Sequence, residues 1–278
     1  MTALGEPAGT AELAFPAGSV VRVAWGAATD VGRRRSTNED SFAVVPPLFA
    51  VADGMGGHSA GDVASGAVVG RLAEAAESSP VLGAGELALA LERATRDIDR
   101  LAGQTEFGVG TTVTGVVLRE TAGAAELLVF NVGDSRVYRL AGNELRRLTK
   151  DHSVVQELVD AGMLAEADAE QHPDANVITR AVGFGAAPMP DYVPVPARAG
   201  LRLLVCSDGL TREVPEAGIR MCLAARLSPA ETAAALIDAA LAGGGRDNIT
   251  AIVLDVLEVV AGTPLEPLDE TTAPGRGR

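Results

Sequence analysis

The sequence predicts an α+β fold in which strand meanders form sheets and helices enter in long blocks to cover them. Two observations carry this. First, the strand candidates are short, rich in Val, Leu and Ile, and often joined by tight turns such as Val45-Pro46-Pro47-Leu48 and Ala141-Gly142-Asn143. Strands this close pair antiparallel, because a parallel crossover needs about a dozen residues or more. Second, the segments with helical period stand apart from the strand runs, so no regular βαβ alternation emerges.

Along the chain, residues 1–19 are rich in Ala, Gly and Pro without a clear period and read as a flexible N-terminal arm. Strands are expected at 21–28, 41–45 and 48–52. DVASGAVVGRLAEAA then carries Val68, Leu72 and Ala75 in helical register. The next helix, ELALALERATRDIDRLAG, sets Leu87, Leu91, Ala94, Ile98 and Leu101 in an apolar stripe against charged residues. Further strands are expected at 111–118, 126–132, 136–140 and 143–148, followed by a short helix in SVVQELVDAG that Gly162 ends. LRLLVC (201–206) reads as a strand. SPAETAAALIDAALAGGG opens on an N-cap Ser228, Pro229 at the first helical position and Glu231 as capping-box partner. The strand ITAIVLDV (249–256) closes one domain spanning 20–258, and 259–278 read as a disordered tail.

The chain has 278 residues, with 23 Lys and Arg against 37 Asp and Glu, a net charge of −14. Such a balance argues against sequence-independent binding to nucleic acid or to an anionic membrane. No apolar run reaches the length of about 20 residues that a bilayer requires, and no basic-then-apolar leader is expected at the N-terminus. Two cysteines, Cys206 and Cys222, make no disulfide framework and fit a reduced, cytoplasmic setting.

Chemistry concentrates at strand ends. LFAVADG places Asp53-Gly54 after an apolar run, and LRLLVCSDG repeats the pattern with Asp208-Gly209. LLVFNVGDS sets Asp134 just past a strand, GGRDN sets Asp247 just before one, and Asn38-Glu39-Asp40 precedes SFAVV. One Asp-Gly is a turn. Several acids at the ends of core strands are a cluster, since neighbouring strand ends lie within about 5–10 Å. Clustered carboxylates need protons or a cation. The absence of His and Cys from the set favours Mg2+ or Mn2+ over zinc. An anionic substrate would need a cationic clamp, for which Arg33, Arg34 and Arg35 are candidates.

The segments TDVGRRRSTNEDS, DGMGGH, GVGTT, NVGDSR, LTKDHS, NVITRAVG, CSDGL and GGRDNIT occur in the order found in PP2C-type (PPM) metal-dependent protein serine/threonine phosphatases, in their bacterial style. The resemblance runs from about residue 21 to 257. It implies a four-layer α-β-β-α sandwich of two antiparallel sheets flanked by helices, with two Mn2+ or Mg2+ ions in a cleft at one edge. Asp53 would bridge them, the Gly54 carbonyl would bind one with Glu39 contributing directly or through water, and Asp208 with Asp247 would hold the other. Asp134, sharing Asp208, would hold a third, weaker ion. Asp40 and Asn248 would orient metal-bound waters, and Arg35 would bind phosphate, returning Arg33 and Arg34 to the surface. Residues 150–183 would form a flap that Asp151, His152 and Ser153 order.

The activity so implied is hydrolysis of phosphoserine and phosphothreonine by direct attack of a metal-bridging water. The expected partners are phosphoproteins, among them Ser/Thr kinases and their substrates, and a monomer is expected. The alternative is a catalytically silent PP2C-like binding module, which would be expected to have lost some of these acids. One position departs from the family: Met55 stands where many relatives carry a histidine proposed as general acid, and a thioether cannot donate a proton. His58 and His152 are the other histidines of the motifs.

Overall fold

A computed structural model describes residues 1–56, 60–79, 82–102, 108–185 and 187–262. In chain order the strands and helices are β1 (Ala3–Leu4), β2 (Ala8–Ala14), β3 (Val20–Asp30), β4 (Asp40–Val45), β5 (Leu48–Met55), α1 (Ala60–Ser78) and α2 (Ala84–Ala102). There follow β6 (Gly110–Thr111), β7 (Val113–Thr121), β8 (Ala124–Val132), β9 (Arg136–Ala141), β10 (Glu144–Arg147) and α3 (Val154–Asp160). A 3-10 turn over Glu166–Gln171 precedes β11 (Val182–Gly183), β12 (Asp191–Pro196) and β13 (Arg202–Cys206). Last come α4 (Asp208–Thr211), α5 (Glu216–Ala224), α6 (Pro229–Gly243) and β14 (Ile249–Val260).

The strands form two sheets, ordered β1-β4-β5-β7-β8-β12, with β6 pairing the end of β5 and β11 pairing β6, and β10-β9-β13-β14-β3-β2. Their facing sides bury Val23, Phe49, Val51, Val116, Val129, Val205 and Leu254 in one apolar layer. The outer face of the first sheet packs Ala50 and Phe130 against Leu72 of α1 and Leu91 of α2. The outer face of the second packs Tyr138, Leu204 and Val253 against Ile219 of α5 and Leu236 of α6. The expected α-β-β-α layering results. The second sheet is antiparallel throughout, whereas the first is mixed, because β1 runs parallel to β4.

Every expected strand forms, and the four expected helices become α1, α2, α3 and α6. α6 carries the full capping box, with Ser228 and Glu231 each accepting from the other's backbone N–H.

The N-terminal arm departs from expectation. Residues Ala8–Ala14 pair antiparallel with β3, and Ala3–Leu4 pair with β4, so this stretch borders both sheets. Its alternate residues Ala11 and Leu13 lie on the inter-sheet core, and the Trp25 indole N–H donates to the Glu6 carbonyl at 2.9 Å. The side chains on that face are small, which leaves only a faint period of two in the sequence. At the other end β14 extends to Val260, two residues into the expected tail, and residues 263–278 lie outside the described set.

Candidate metal centre

The acids meet at one edge of the sandwich because register puts their strand ends there. Asp40 at the start of β4 pairs with Asp53 near the end of β5. In the second sheet Cys206 of β13 pairs with Ala251 of β14, so Asp208 follows one strand where Asp247 precedes the other. Asp134 follows β8, and the side-chain hydroxyls of Thr112 and Ser135 meet at 2.9 Å, tying that turn to the end of β5. Thr111 and Thr112 fix Asp53 itself: the Thr112 N–H and the Thr111 hydroxyl donate to its carbonyl at 2.9 and 2.8 Å.

The loop before β4 is held by Asn248. Its Oδ1 accepts from the Glu39 N–H at 2.8 Å, while its amide donates to the carbonyls of Val31 and Thr37, both at 2.9 Å. Gly32 turns this loop at a φ of 78° that favours glycine, with its N–H on Asp30 Oδ1 at 2.7 Å. Gly54 is glycine for space. A Cβ there would collide with the Gly61 carbonyl and stand 2.7 Å from the Glu39 carbonyl oxygen.

Asp40 is fully buried. Its Oδ2 accepts from Ser207 Oγ at 2.8 Å and Thr250 Oγ1 at 2.7 Å, while its Oδ1 is buried without a partner. Burial, against those two hydrogen bonds, pushes its pKa from 3.8 to about 7. Asp134 rises to about 7 as well, through burial and the charge of Asp208. Asp53 is held well above the usual carboxylate range by burial and then by Asp40, Asp208, Asp134 and Asp247. Burial also raises Asp208, whose Oδ1 has no partner, and Glu39, where Asp62 is the next cause. The cluster therefore demands positive charge.

Protein cations meet part of that demand. Arg35 Nη2 donates to Asp247 Oδ2 at 2.8 Å. Arg212 forms an ion pair with Asp208, and its guanidinium lies 3.6 Å from Asp134 Oδ2 and 3.7 Å from Asp247 Oδ2. Among the described residues no three His, Cys, Asp or Glu side chains close into a ready cage.

The site residues named from the sequence converge here, and Arg33 does not join them. Its backbone N–H and Nε donate to the carbonyls of Gly245 and Leu241, by the C-terminal end of α6. Three participants were not foreseen. Asp62, in the first turn of α1, reads in sequence as an ordinary helix-start acid. Arg212 reads as a surface residue. Glu213 is almost fully buried and accepts from the Arg246 N–H at 3.0 Å, which fixes the residue preceding Asp247.

Asp151, His152 and Ser153 bind the scaffold. Asp151 accepts from Arg136, and Ser153 caps α3. His152 is buried, with Nδ1 accepting from the Gly133 N–H at 3.0 Å. That leaves the proton on Nε2, which faces Asp191 Oδ2 at 3.1 Å. With both nitrogens engaged, His152 anchors the segment between β10 and α3. Met55 is partly exposed at the end of β5, and His58 lies outside the described residues. Burial pushes the Cys206 thiol up to about 12, which makes it an inert core residue.

A layered α-β-β-α sandwich with carboxylates gathered at one edge is the architecture of a metal-dependent phosphatase. The family model described as protein phosphatase 2C matches residues 32–243, and the chain belongs to that family. It is 38% identical over 239 residues to the serine/threonine phosphatase stp of Listeria welshimeri, a match covering 82% of this chain and 93% of that protein. It is 40% identical over 240 residues to the serine/threonine protein phosphatase PstP of Mycobacterium tuberculosis, covering 84% of this chain and 45% of that one. The crystal structure of the M. tuberculosis phosphatase PstP/Ppp superposes with a TM-score of 0.77 at 37% identity, over 85% of this chain and 99% of that one. The PstP catalytic domain in complex with two manganese ions gives a TM-score of 0.74, also at 37% identity and over the same shares.

Proposed function

We propose that this chain is a Mn2+- or Mg2+-dependent phosphatase of phosphoserine and phosphothreonine proteins. The observation that carries the reading is the edge cluster itself, whose buried acids raise one another's pKa and leave oxygens of Asp40 and Asp208 without a partner. All-oxygen donors of this kind suit Mn2+ and Mg2+. In this reading Asp53, the Gly54 carbonyl, Glu39, Asp208 and Asp247 hold two ions, and Asp134 with Asp208 a third, weaker one. When bound, such ions activate water and neutralise charge on a phosphate monoester.

The chain's own residues supply the rest. Asp40 is locked by Ser207 and Thr250 and faces Asp53 across the register, a fixed acid beside that carboxylate. Asn248 holds Glu39 in place through its backbone N–H. Arg35, about half exposed beside Asp247, offers the planar donor fork that phosphate oxygens fit. Neither Met55 nor the doubly engaged His152 is the proton donor to the leaving oxygen.

No described helix is long and apolar enough to cross a membrane. With two free cysteines, the reading places a monomer in the cytoplasm, acting on Ser/Thr kinases and their substrates. A silent binding module has no support, since none of the acids it would be expected to lose is missing. The test is hydrolysis of p-nitrophenyl phosphate and of a phosphothreonine peptide with and without Mn2+, beside Asp208→Ala. Turnover that needs the metal and disappears in the variant is expected. Metal-independent turnover, or equal turnover in the variant, would overturn the reading.

A further inference from the structure

The cluster of acids has a resident cation whose place the proposed function does not explain. Arg212 follows the one-turn helix α4, and its backbone N–H donates to the Asp208 carbonyl at 2.9 Å. Four residues on from Asp208, its side chain turns back onto that carboxylate. The same guanidinium reaches Asp134 from the first sheet and Asp247 from the loop before β14. Among the described residues no other cation pairs with Asp134 or Asp208, whereas Asp247 also has Arg35. An ordinary i,i+4 surface pair steadies one carboxylate. Arg212 draws three together from separate segments.

We propose that Arg212 is a built-in counter-cation for Asp134 and Asp208, and that a divalent ion taken by this pair must displace it. Arg212 thereby sets the affinity of the weakest-bound ion. The inference rests on the metal-dependent reading above and concerns this chain's own residue toward that site. A guanidinium and a divalent ion on the same two carboxylates repel each other and compete for the same oxygens, so occupancy by one opposes the other. The side chain has room to leave. It is about one-third exposed and lines a cavity of about 750 Å3 whose wall also carries Glu170 and Glu216. Those acids and open water would receive the displaced charge.

The experiment is a Mn2+ titration of the full chain, with free ion counted by electron paramagnetic resonance and heats by calorimetry. Wild type, Arg212→Ala, Arg212→Gln and each of these with Asp134→Asn are compared. The weakest class of Mn2+ is expected to bind at least tenfold tighter in Arg212→Ala and Arg212→Gln, and Asp134→Asn is expected to abolish that gain. Superimposable isotherms, weaker binding, or a gain that survives Asp134→Asn would overturn the proposal while leaving the metal-dependent reading intact. Absence of Mn2+ binding in every protein, wild type included, would overturn both. Circular dichroism reports folding. If Arg212→Ala misfolds, Arg212→Gln carries the test, and misfolding of both would show a structural residue and overturn the competition.

Discussion

Replacing Asp40 by Asn isolates what the acid cluster costs the metal-free fold. Asp40 is fully buried and its pKa stands at about 7, against 3.8 for the unperturbed group. Between those values the folded state holds a proton that the unfolded state has released, so stability falls as pH rises from about 4 to about 7 and is level above. At about 1.4 kcal/mol for each pKa unit, ionised Asp40 costs the fold about 4 kcal/mol at pH 8. The Asn side chain keeps an oxygen to accept from Ser207 and Thr250, and it carries no charge. Urea unfolding in EDTA, from about pH 4 to about pH 8, compares the two proteins. Near pH 4 they are expected to be about equally stable. By pH 8 the variant is expected to lead by about 4 kcal/mol from Asp40 itself, and by more because removing its charge also relieves Asp53. A difference that stays constant with pH, or favours wild type more as pH rises, would refute the assignment of that charge to burial.

Asn248→Ala removes the acceptor of the Glu39 N–H and the donors to Val31 and Thr37, so a loss of about 3 kcal/mol in chemical denaturation is expected, with weaker Mn2+ binding by calorimetry. Gly54→Ala forces a Cβ against the Gly61 and Glu39 carbonyls, and should lower stability by about 1–3 kcal/mol and abolish metal-dependent turnover. Unchanged melting and rate in that variant would show that the strand end has slack. Arg35→Lys keeps the charge but loses the fork, so KM for a phosphothreonine peptide should rise about tenfold while the melting temperature barely moves. An unchanged KM would remove Arg35 from phosphate binding.

What the sequence shows of this molecule follows the range of the interactions involved. The long helices α2 and α6 are legible because one stripe and one capping box lie within single segments. The acids are legible because each is punctuated locally, by an apolar run and a glycine or a turn. β2 escapes notice because Gly, Thr and Ala give a weak period, and its pairing partner β3 supplies the order. α4 is too short for any period to show. The role of Arg212 is visible only when β8, β13 and β14 have been brought to one edge, since its three acids are remote from one another in the chain.

The segment after β10 shows the same limit and what lies beyond it. Asp151, His152 and Ser153 are readable as a motif, but the motif does not say which atoms they hold. In the fold, His152 accepts from the N–H of Gly133, the residue directly before Asp134, while Asn131 donates to the carbonyls of Gly133 and Lys150 at 3.0 and 3.2 Å. The turn that presents Asp134 and residues 150–152 are thus one hydrogen-bonded unit. Arg136, two residues after Asp134, closes it by pairing with the buried Asp151. The unit also reaches Asp53, because the Thr112 hydroxyl that meets Ser135 accepts from the Asp53 N–H at 3.1 Å, so Asp134, Asp53 and residues 150–153 share one hydrogen-bonded frame.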